Sequence, residues 1–395
     1  MYNDKMVELG SKRSVIRELF EYGKKRASEV GADKVYDYSL GNPSVPAPTC
    51  VNDAIAQIIS DLPSISVHGY TSAQGDYNTR KAVSDFINDR FASGFGPDDI
   101  YMTCGAAASL TISLKALCSS AKDEFIAIAP YFPEYKVFTE AAGAVLKVVM
   151  PQEKTLQPDM NALEKAINAN TKGVILNSPN NPSGVVYTEE NVKKICTLLK
   201  KKSAELKKHI FIICDEPYRE IVYDNIKVPY LPNYYDDVVV CYSYSKSLSL
   251  PGERIGYVAV CPRAYNNRDL YAAICGAGRA LGYVCAPSLM QLVVQKCVRA
   301  KTNTDAYKRN RDLIYNALTD IGYTCIKPDG AFYLFVKSLE PDANAFSERA
   351  KGYGLLLVPS DSFGVKGFVR LAYCVSADMI KRSLPAFRDL FDSYK

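Results

Sequence analysis

Seven short apolar runs, separated mostly by stretches with helical spacing, constrain this chain more than any other feature. They cover residues 100–103, 125–129, 145–150, 174–176, 210–214, 238–241 and 255–260. Runs so short and so rich in β-branched residues read as strands buried on both faces. Their alternation with helices predicts an α/β layer with a largely parallel sheet of seven strands. The last two runs are joined differently, by a polar segment with a Pro251-Gly252 turn. If they pair as antiparallel neighbours, Ser243, Ser245 and Lys246 at the end of one meet Arg254 at the start of the other. Two hydroxyls, an amine and a guanidinium would then converge on one small volume. Such a cluster suits a phosphate beside a lysine that forms a Schiff base.

A chain of 395 residues is long for one core, so two domains are expected. After about residue 290 the pattern changes to a long helix over 290–317, then short strands near 332–336, 354–358 and 368–372. These describe a second, smaller α+β domain. Before residue 100 lie an amphipathic stretch at 15–20, a short strand over 36–40 and helices over 51–60 and 79–91. The expected division is a leading arm and start of the small domain (1–45), a large domain (46–290) and a small C-terminal domain (291–395).

Composition removes several function classes. Only two histidines occur, too few for a multi-histidine metal site, so no metal is expected; a Ser-His-Asp triad is equally hard to build. The net charge of +5 is spread along the chain, and its densest basic group, 193–208, has helical spacing. That group reads as a solvated helix face rather than a nucleic-acid patch. Twelve cysteines without a C-x-x-C pair read as buried thiols of a reducing compartment. With no signal peptide and no apolar run of membrane-spanning length, the expectation is a cytoplasmic protein without membrane contact.

Open α/β sheets bind ligands beyond the carboxyl ends of their strands. There the sequence places Gly105-Ala106-Ala107, Tyr131-Phe132, Asn180-Asn181-Pro182 and Asp215-Glu216-Pro217-Tyr218. Singly, each has an ordinary explanation: Asp215 could cap a helix, Asn181 could make a turn, Phe132 could be core. Together they match the needs of pyridoxal 5′-phosphate. Asp215 would keep its ring nitrogen protonated. Asn181 and Tyr218 would donate to its phenolate oxygen, and Phe132 would lie against its ring. The 105–107 turn with Ser243, Ser245 and Arg254 would hold the phosphate, and Lys246 would take the aldehyde.

With these residues the chain resembles the class I/II aminotransferases of the fold-type I, aspartate-aminotransferase-like superfamily. The resemblance rests on Ser243-x-Ser245-Lys246 with Arg254 eight residues on, Asn181-Pro182-x-Gly184, Asp215-x-x-Tyr218, Tyr131-Phe132 and Phe368-Val369-Arg370-Leu371. Gly41-x-Pro43 and Tyr70…Gly75…Arg80 add to it, in the family's order from 40 to 372. It implies that Lys246 is both the Schiff-base lysine and the proton carrier, its pKa lowered by neighbouring positive charge. It further implies that Arg370, with Gly41 and Asn181, receives the substrate carboxylate, and that Tyr70 reaches the phosphate of a partner subunit in a homodimer. The implied reaction is transfer of an α-amino group between an amino acid and a 2-oxo acid; a β-lyase on the same scaffold is the alternative. Arg370 also stands out physically, since it interrupts an apolar run where an unpaired guanidinium is costly. In one respect the chain departs from the best-known members. Ala106-Ala107-Ala108 offers nothing to grip a second carboxylate, which leaves Arg279 and Arg17 as candidates for a distal one.

Overall fold

The computed structural model describes residues 2–11 and 14–395. A two-residue strand, β1 (Tyr36–Asp37), precedes the seven expected ones: β2 (Ile100–Thr103), β3 (Glu124–Ile128), β4 (Val145–Val149), β5 (Thr171–Asn177), β6 (Phe211–Asp215), β7 (Val238–Ser243) and β8 (Gly256–Val260). These seven form one sheet in the order β2-β8-β7-β6-β5-β3-β4, parallel except where β8 runs against β7 and β2. The apolar runs follow from this order. Val174, Ile212, Val239 and Val258 lie in interior strands, covered on both faces, and are fully buried. Each such side chain contributes about 1.5–3 kcal/mol, so in these interior strands charged residues are confined to the ends, whereas the edge strand β4 carries Lys147 at its centre.

After residue 300 come β9 (Cys325–Ile326), β10 (Tyr333–Lys337), β11 (Leu355–Leu356), β12 (Val358–Pro359) and β13 (Phe368–Ala372). The order β12-β13-β10-β9 makes an antiparallel sheet, one face of which (Leu334, Val336, Val369, Leu371) builds a second hydrophobic cluster, while Phe335 and Val358 pack into the cluster of the seven-stranded layer. The single strand expected over 354–358 is split. Leu355–Leu356 pairs in parallel with β1, while Val358–Pro359 pairs with β13. The leading segment is thereby stitched to the C-terminal part of the chain.

The long helix expected over 290–317 is also divided, into Ser288–Cys297 and Thr304–Ile321. Apolar periodicity lapses at Arg299-Ala300-Lys301, and the Asn303 side chain restarts the helix by accepting the Asp305 N–H at 3.1 Å. The basic stretch 193–208 lies mostly on the helix Glu189–Leu206. There Lys193, Lys194 and Lys201 pair with Glu189, Glu190 and Glu164 at 2.8, 2.6 and 3.0 Å, as a solvated face should. No helix of the described residues is long and apolar enough to cross a membrane.

Candidate active site

Ser243 ends β7 and caps the one-turn helix Tyr244–Ser247. Its Oγ accepts the Ser245 N–H at 3.1 Å and donates to Ser245 Oγ at 2.8 Å. The antiparallel register sets Ser243 opposite Gly256 and so returns Arg254 to the same edge. Arg254 Nη1 donates to Ser245 Oγ at 3.3 Å, and Nη2 to the Cys104 carbonyl at 3.3 Å. Beside it, Gly105 (φ +82°) opens the helix Ala106–Leu117. The backbone angle favours glycine, and a Cβ at 105 would stand 2.7 Å from Arg254 Nη2 and push that guanidinium aside. Free N–H groups of a helix N-terminus, two hydroxyls and a guanidinium thus face one volume, a ready-made anion site.

Asp215 ends β6. Its backbone carbonyl accepts from Asn177 Nδ2 at 2.8 Å, and Asn177 Oδ1 in turn accepts the Asn181 N–H at 2.7 Å. That bridge fixes the Asn181 turn relative to Asp215. The Asp215 carboxylate is buried; Oδ2 accepts from the Tyr135 hydroxyl at 2.5 Å, and Oδ1 has no partner among the described residues. Burial pushes its pKa up to about 7, against the lowering effect of the Tyr135 hydrogen bond. Leaving a buried acceptor unpaired costs about 1–3 kcal/mol, and more for a charged group. A protonated ring nitrogen would satisfy this one. On that observation the donor set fits pyridoxal phosphate.

Lys246 Nζ donates to the Gly41 carbonyl at 2.8 Å. Burial is the main cause that brings its amine down to about 8, with the Arg254 and Arg370 charges adding to it. The sequence-based expectation credited neighbouring charge alone, so burial is a correction to it. Gly41 itself lies where a Cβ would meet the Tyr333 hydroxyl at 2.0 Å, leaving no room for a side chain. The Tyr333 hydroxyl shares a 2.8 Å hydrogen bond with that of Tyr218, whose pKa burial holds well above the usual phenol value.

Arg370 is 2% exposed. Nη1 donates to Asn181 Oδ1 at 3.2 Å, Nη2 donates to the Ser39 carbonyl, and Nε has no partner among the described residues. Its guanidinium lies 4.7 Å from the Tyr333 ring centroid and 5.3 Å from that of Phe363. Among the described residues no carboxylate forms an ion pair with it. Removing one partner of a buried ion pair is worth about 3–5 kcal/mol, so a cation left in this state is suited to an incoming anion.

Of the expected site residues, all but Gly105 and Tyr70 line a single cleft of about 300 Å³. Gly105 sits just beneath its rim, against Arg254. Tyr70 is 93% exposed and stands outside this cleft. Arg17 and Arg279 are exposed and do not line it either, although Ile16 does. Sequence reasoning missed Tyr135, Tyr333 and Ser39. Tyr135 lies three residues after Phe132, a spacing that could have been read. Tyr333 sits diagonally across the β10–β13 ladder from Arg370, and Ser39 contributes only its backbone.

A family model described as aminotransferase class I and II matches residues 34–387. The aspartate aminotransferase of Thermotoga maritima is 27% identical over 366 residues, covering 91% of this chain and 92% of its own. The aspartate/prephenate aminotransferase of Thermus thermophilus is 26% identical over 361 residues, 88% of this chain and 89% of its own. A crystal structure of an amino transferase from Eubacterium rectale is 60% identical with a TM-score of 0.99, covering 100% of this chain and 99% of its own.

Proposed function

The chain belongs to the class I and II aminotransferases, and from that premise we propose that it moves an α-amino group from an amino acid to a 2-oxo acid, with aspartate or broad specificity, in two half-reactions served by Lys246. The observation that carries this reading is Arg370, buried without a carboxylate partner in the cleft that holds the Lys246 amine. A fork of N–H donors fits a planar α-carboxylate. A substrate held there would be presented to the one amine in the cleft.

Pyridoxal phosphate, when bound, supplies the electron sink that makes the substrate Cα proton acidic. In this proposal Arg254, Ser243, Ser245 and the Gly105-Ala106-Ala107 turn hold its phosphate. Asp215 keeps the proton on its ring nitrogen, Asn181 and Tyr218 donate to its phenolate oxygen, and Phe132 covers the ring. Arg370, with Gly41 and Asn181 beside it, orients the substrate by its carboxylate. Lys246, poised near pH 8, would take the substrate Cα proton as a neutral amine and hold it within the cleft. The buried Tyr333 and Tyr218, with the half-buried Phe132, would limit access of water to the cleft.

The proposal extends to organisation. We propose a division into a 46–290 unit and a 291–395 unit, with 1–45 joined to the latter through β1; the two hydrophobic clusters support two units, although Val293, Val294 and Val298 pack with the first. The exposure of Tyr70 supports a role toward a partner subunit in a homodimer, and the twelve free cysteines support a cytoplasmic setting.

The deciding experiment gives the cofactor-loaded protein a panel of amino donors with 2-oxoglutarate, beside a Lys246→Ala variant. New glutamate from the first and none from the second is expected. Pyruvate and ammonia without new glutamate would replace the proposal with a β-lyase. Full activity in Lys246→Ala would remove the lysine from it.

A further inference from the structure

Behind the Lys246 turn lies a second cavity, of about 470 Å³, which the proposed reaction does not use. Tyr244 and Ser247, three residues apart on the one-turn helix, line it; Ser245 and Lys246, between them, line the cleft instead. The facing wall is the connection over 298–304. That connection leaves the helix Ser288–Cys297, whose Val293 and Val294 belong to the large-sheet core. It enters the helix Thr304–Ile321, whose Tyr307 and Ile314 belong to the small-sheet core. The buried Thr302 hydroxyl donates to the Ser247 carbonyl, one residue past Lys246. The cavity is therefore enclosed between the link joining the two cores and the back of the segment that carries the reactive amine.

Its chemistry is specific. Three cations and one carboxylate line it: Arg90, Arg299, Lys301 and Glu220. Arg90 pairs with Glu220 at 2.5 Å, and Arg299 pairs with Asp89 outside the lining. Lys301, exposed to solvent at the edge of the cavity, has no carboxylate in ion-pair reach among the described residues. The Tyr244 side chain is 2% exposed and its hydroxyl has no hydrogen-bond partner among the described residues, an arrangement rare for a buried phenol. Burial keeps that phenol protonated, hence a donor. Phe86, Ile221 and Val298 complete the lining with apolar surface.

We propose that this cavity is a ligand site for a small monocarboxylate with an apolar body, its carboxylate taken by Lys301 and the Tyr244 hydroxyl and its body by the apolar wall. One added negative charge matches the one uncompensated cation. A ligand seated there spans the link between the cores and the Lys246 turn, so it changes turnover without entering the substrate cleft. That consequence, unlike the binding itself, rests on the aminotransferase reading.

The test uses 3-phenylpropionate, which has neither an amino nor an oxo group, and calorimetric titration of the cofactor-loaded protein. Because Arg370 also attracts carboxylates, the titration is made in Arg370→Ala. One binding site should remain there, weakened about tenfold or more by adding Lys301→Glu and about fivefold by Tyr244→Phe, as loss of a charged and of a neutral hydrogen bond dictates. In the enzyme with Arg370 intact, the compound should change kcat at saturating amino donor, and Lys301→Glu should abolish that change. No binding in Arg370→Ala, or binding indifferent to both second substitutions, would overturn the site. Binding without an effect on kcat would overturn its coupling to turnover. Failure of the aminotransferase reading would show separately, as absence of turnover with every donor.

Discussion

Replacing Tyr135 by Phe isolates what holds the Asp215 carboxylate ready. The Tyr135 hydroxyl is its one side-chain donor, at 2.5 Å, and Asp215 already sits near pH 7 because of burial. A hydrogen bond to a charged group is worth about 1.5–3 kcal/mol and one pKa unit about 1.4 kcal/mol, so the substitution should lift Asp215 by about one to two units. The sign follows from proton binding. In the cofactor-free protein the folded state holds the Asp215 proton more tightly than the unfolded chain, whose ordinary value is 3.8. Stability therefore falls as pH rises from about 4 to 7 and is level, for this group, above that. In Tyr135→Phe the fall should continue for another one or two units. Urea unfolding of both proteins between about pH 6 and 9 gives the difference, in which the other titrating groups cancel. That difference should be constant below pH 7 and grow by about 1.4–3 kcal/mol above it. With the cofactor loaded, the same loss predicts kcat/KM lower by about 10- to 100-fold. A stability difference that does not change with pH would refute the reasoning.

Three further outcomes follow from the same geometry. Arg370→Ala should raise KM for amino donors at least about thirtyfold, since truncating a buried charged partner costs about 2–5 kcal/mol, while the visible absorbance of the bound cofactor is kept; loss of cofactor with a normal KM would contradict the assignment. Gly105→Ala places a Cβ 2.7 Å from Arg254 Nη2 at φ +82°. At a strain of about 1–3 kcal/mol it should weaken cofactor binding about tenfold, and an unchanged dissociation constant would sink the anion-site reading. Lys246→Met should stabilise the cofactor-free protein below pH 8. The buried amine has a folded pKa of about 8 against 10.5 unfolded, so the native enzyme gains stability as pH rises across that window. The variant's advantage should reach about 3 kcal/mol near neutrality and fade toward pH 10; an advantage independent of pH would show the amine is not buried as described.

The sequence carries the large sheet clearly because strands covered on both faces leave continuous apolar runs, as 238–241 and 255–260 do, and a wrong guess about their pairing would have separated Ser243 from Arg254. The small sheet is harder to read. Two-residue strands such as Leu355–Leu356 and Val358–Pro359 have no period, and only their different partners reveal a break between them. The interruption at 298–303 was legible in retrospect from Arg299-Ala300-Lys301 and the Asn303 cap, yet the amphipathic pattern on either side bridges it. Within the cleft, Lys246, Asp215 and Arg370 announce their chemistry by residue type, and the structure brings them together. Tyr135 was not, because a fully buried tyrosine on a helix looks like core until its hydroxyl is seen to donate to Asp215. The Ser39 carbonyl, a backbone atom, leaves no trace in residue type at all.

Charge in the cleft has one further consequence. Lys246, Arg254 and Arg370 line it with Asp215 as the one carboxylate. Burial lowers the Lys246 amine in every state, but the Arg254 and Arg370 contributions persist only while those guanidiniums lack anions. A phosphate on Arg254 cancels the first, and a substrate carboxylate on Arg370 cancels the second. The amine is therefore least basic in the empty site, where staying neutral leaves it reactive toward an aldehyde. It would become more basic as the proposed ligands arrive, which suits the proposed acceptance of the Cα proton. In the proposed reaction Arg370 would thus be more than a binding group: a carboxylate that neutralised it would raise the proton affinity of Lys246.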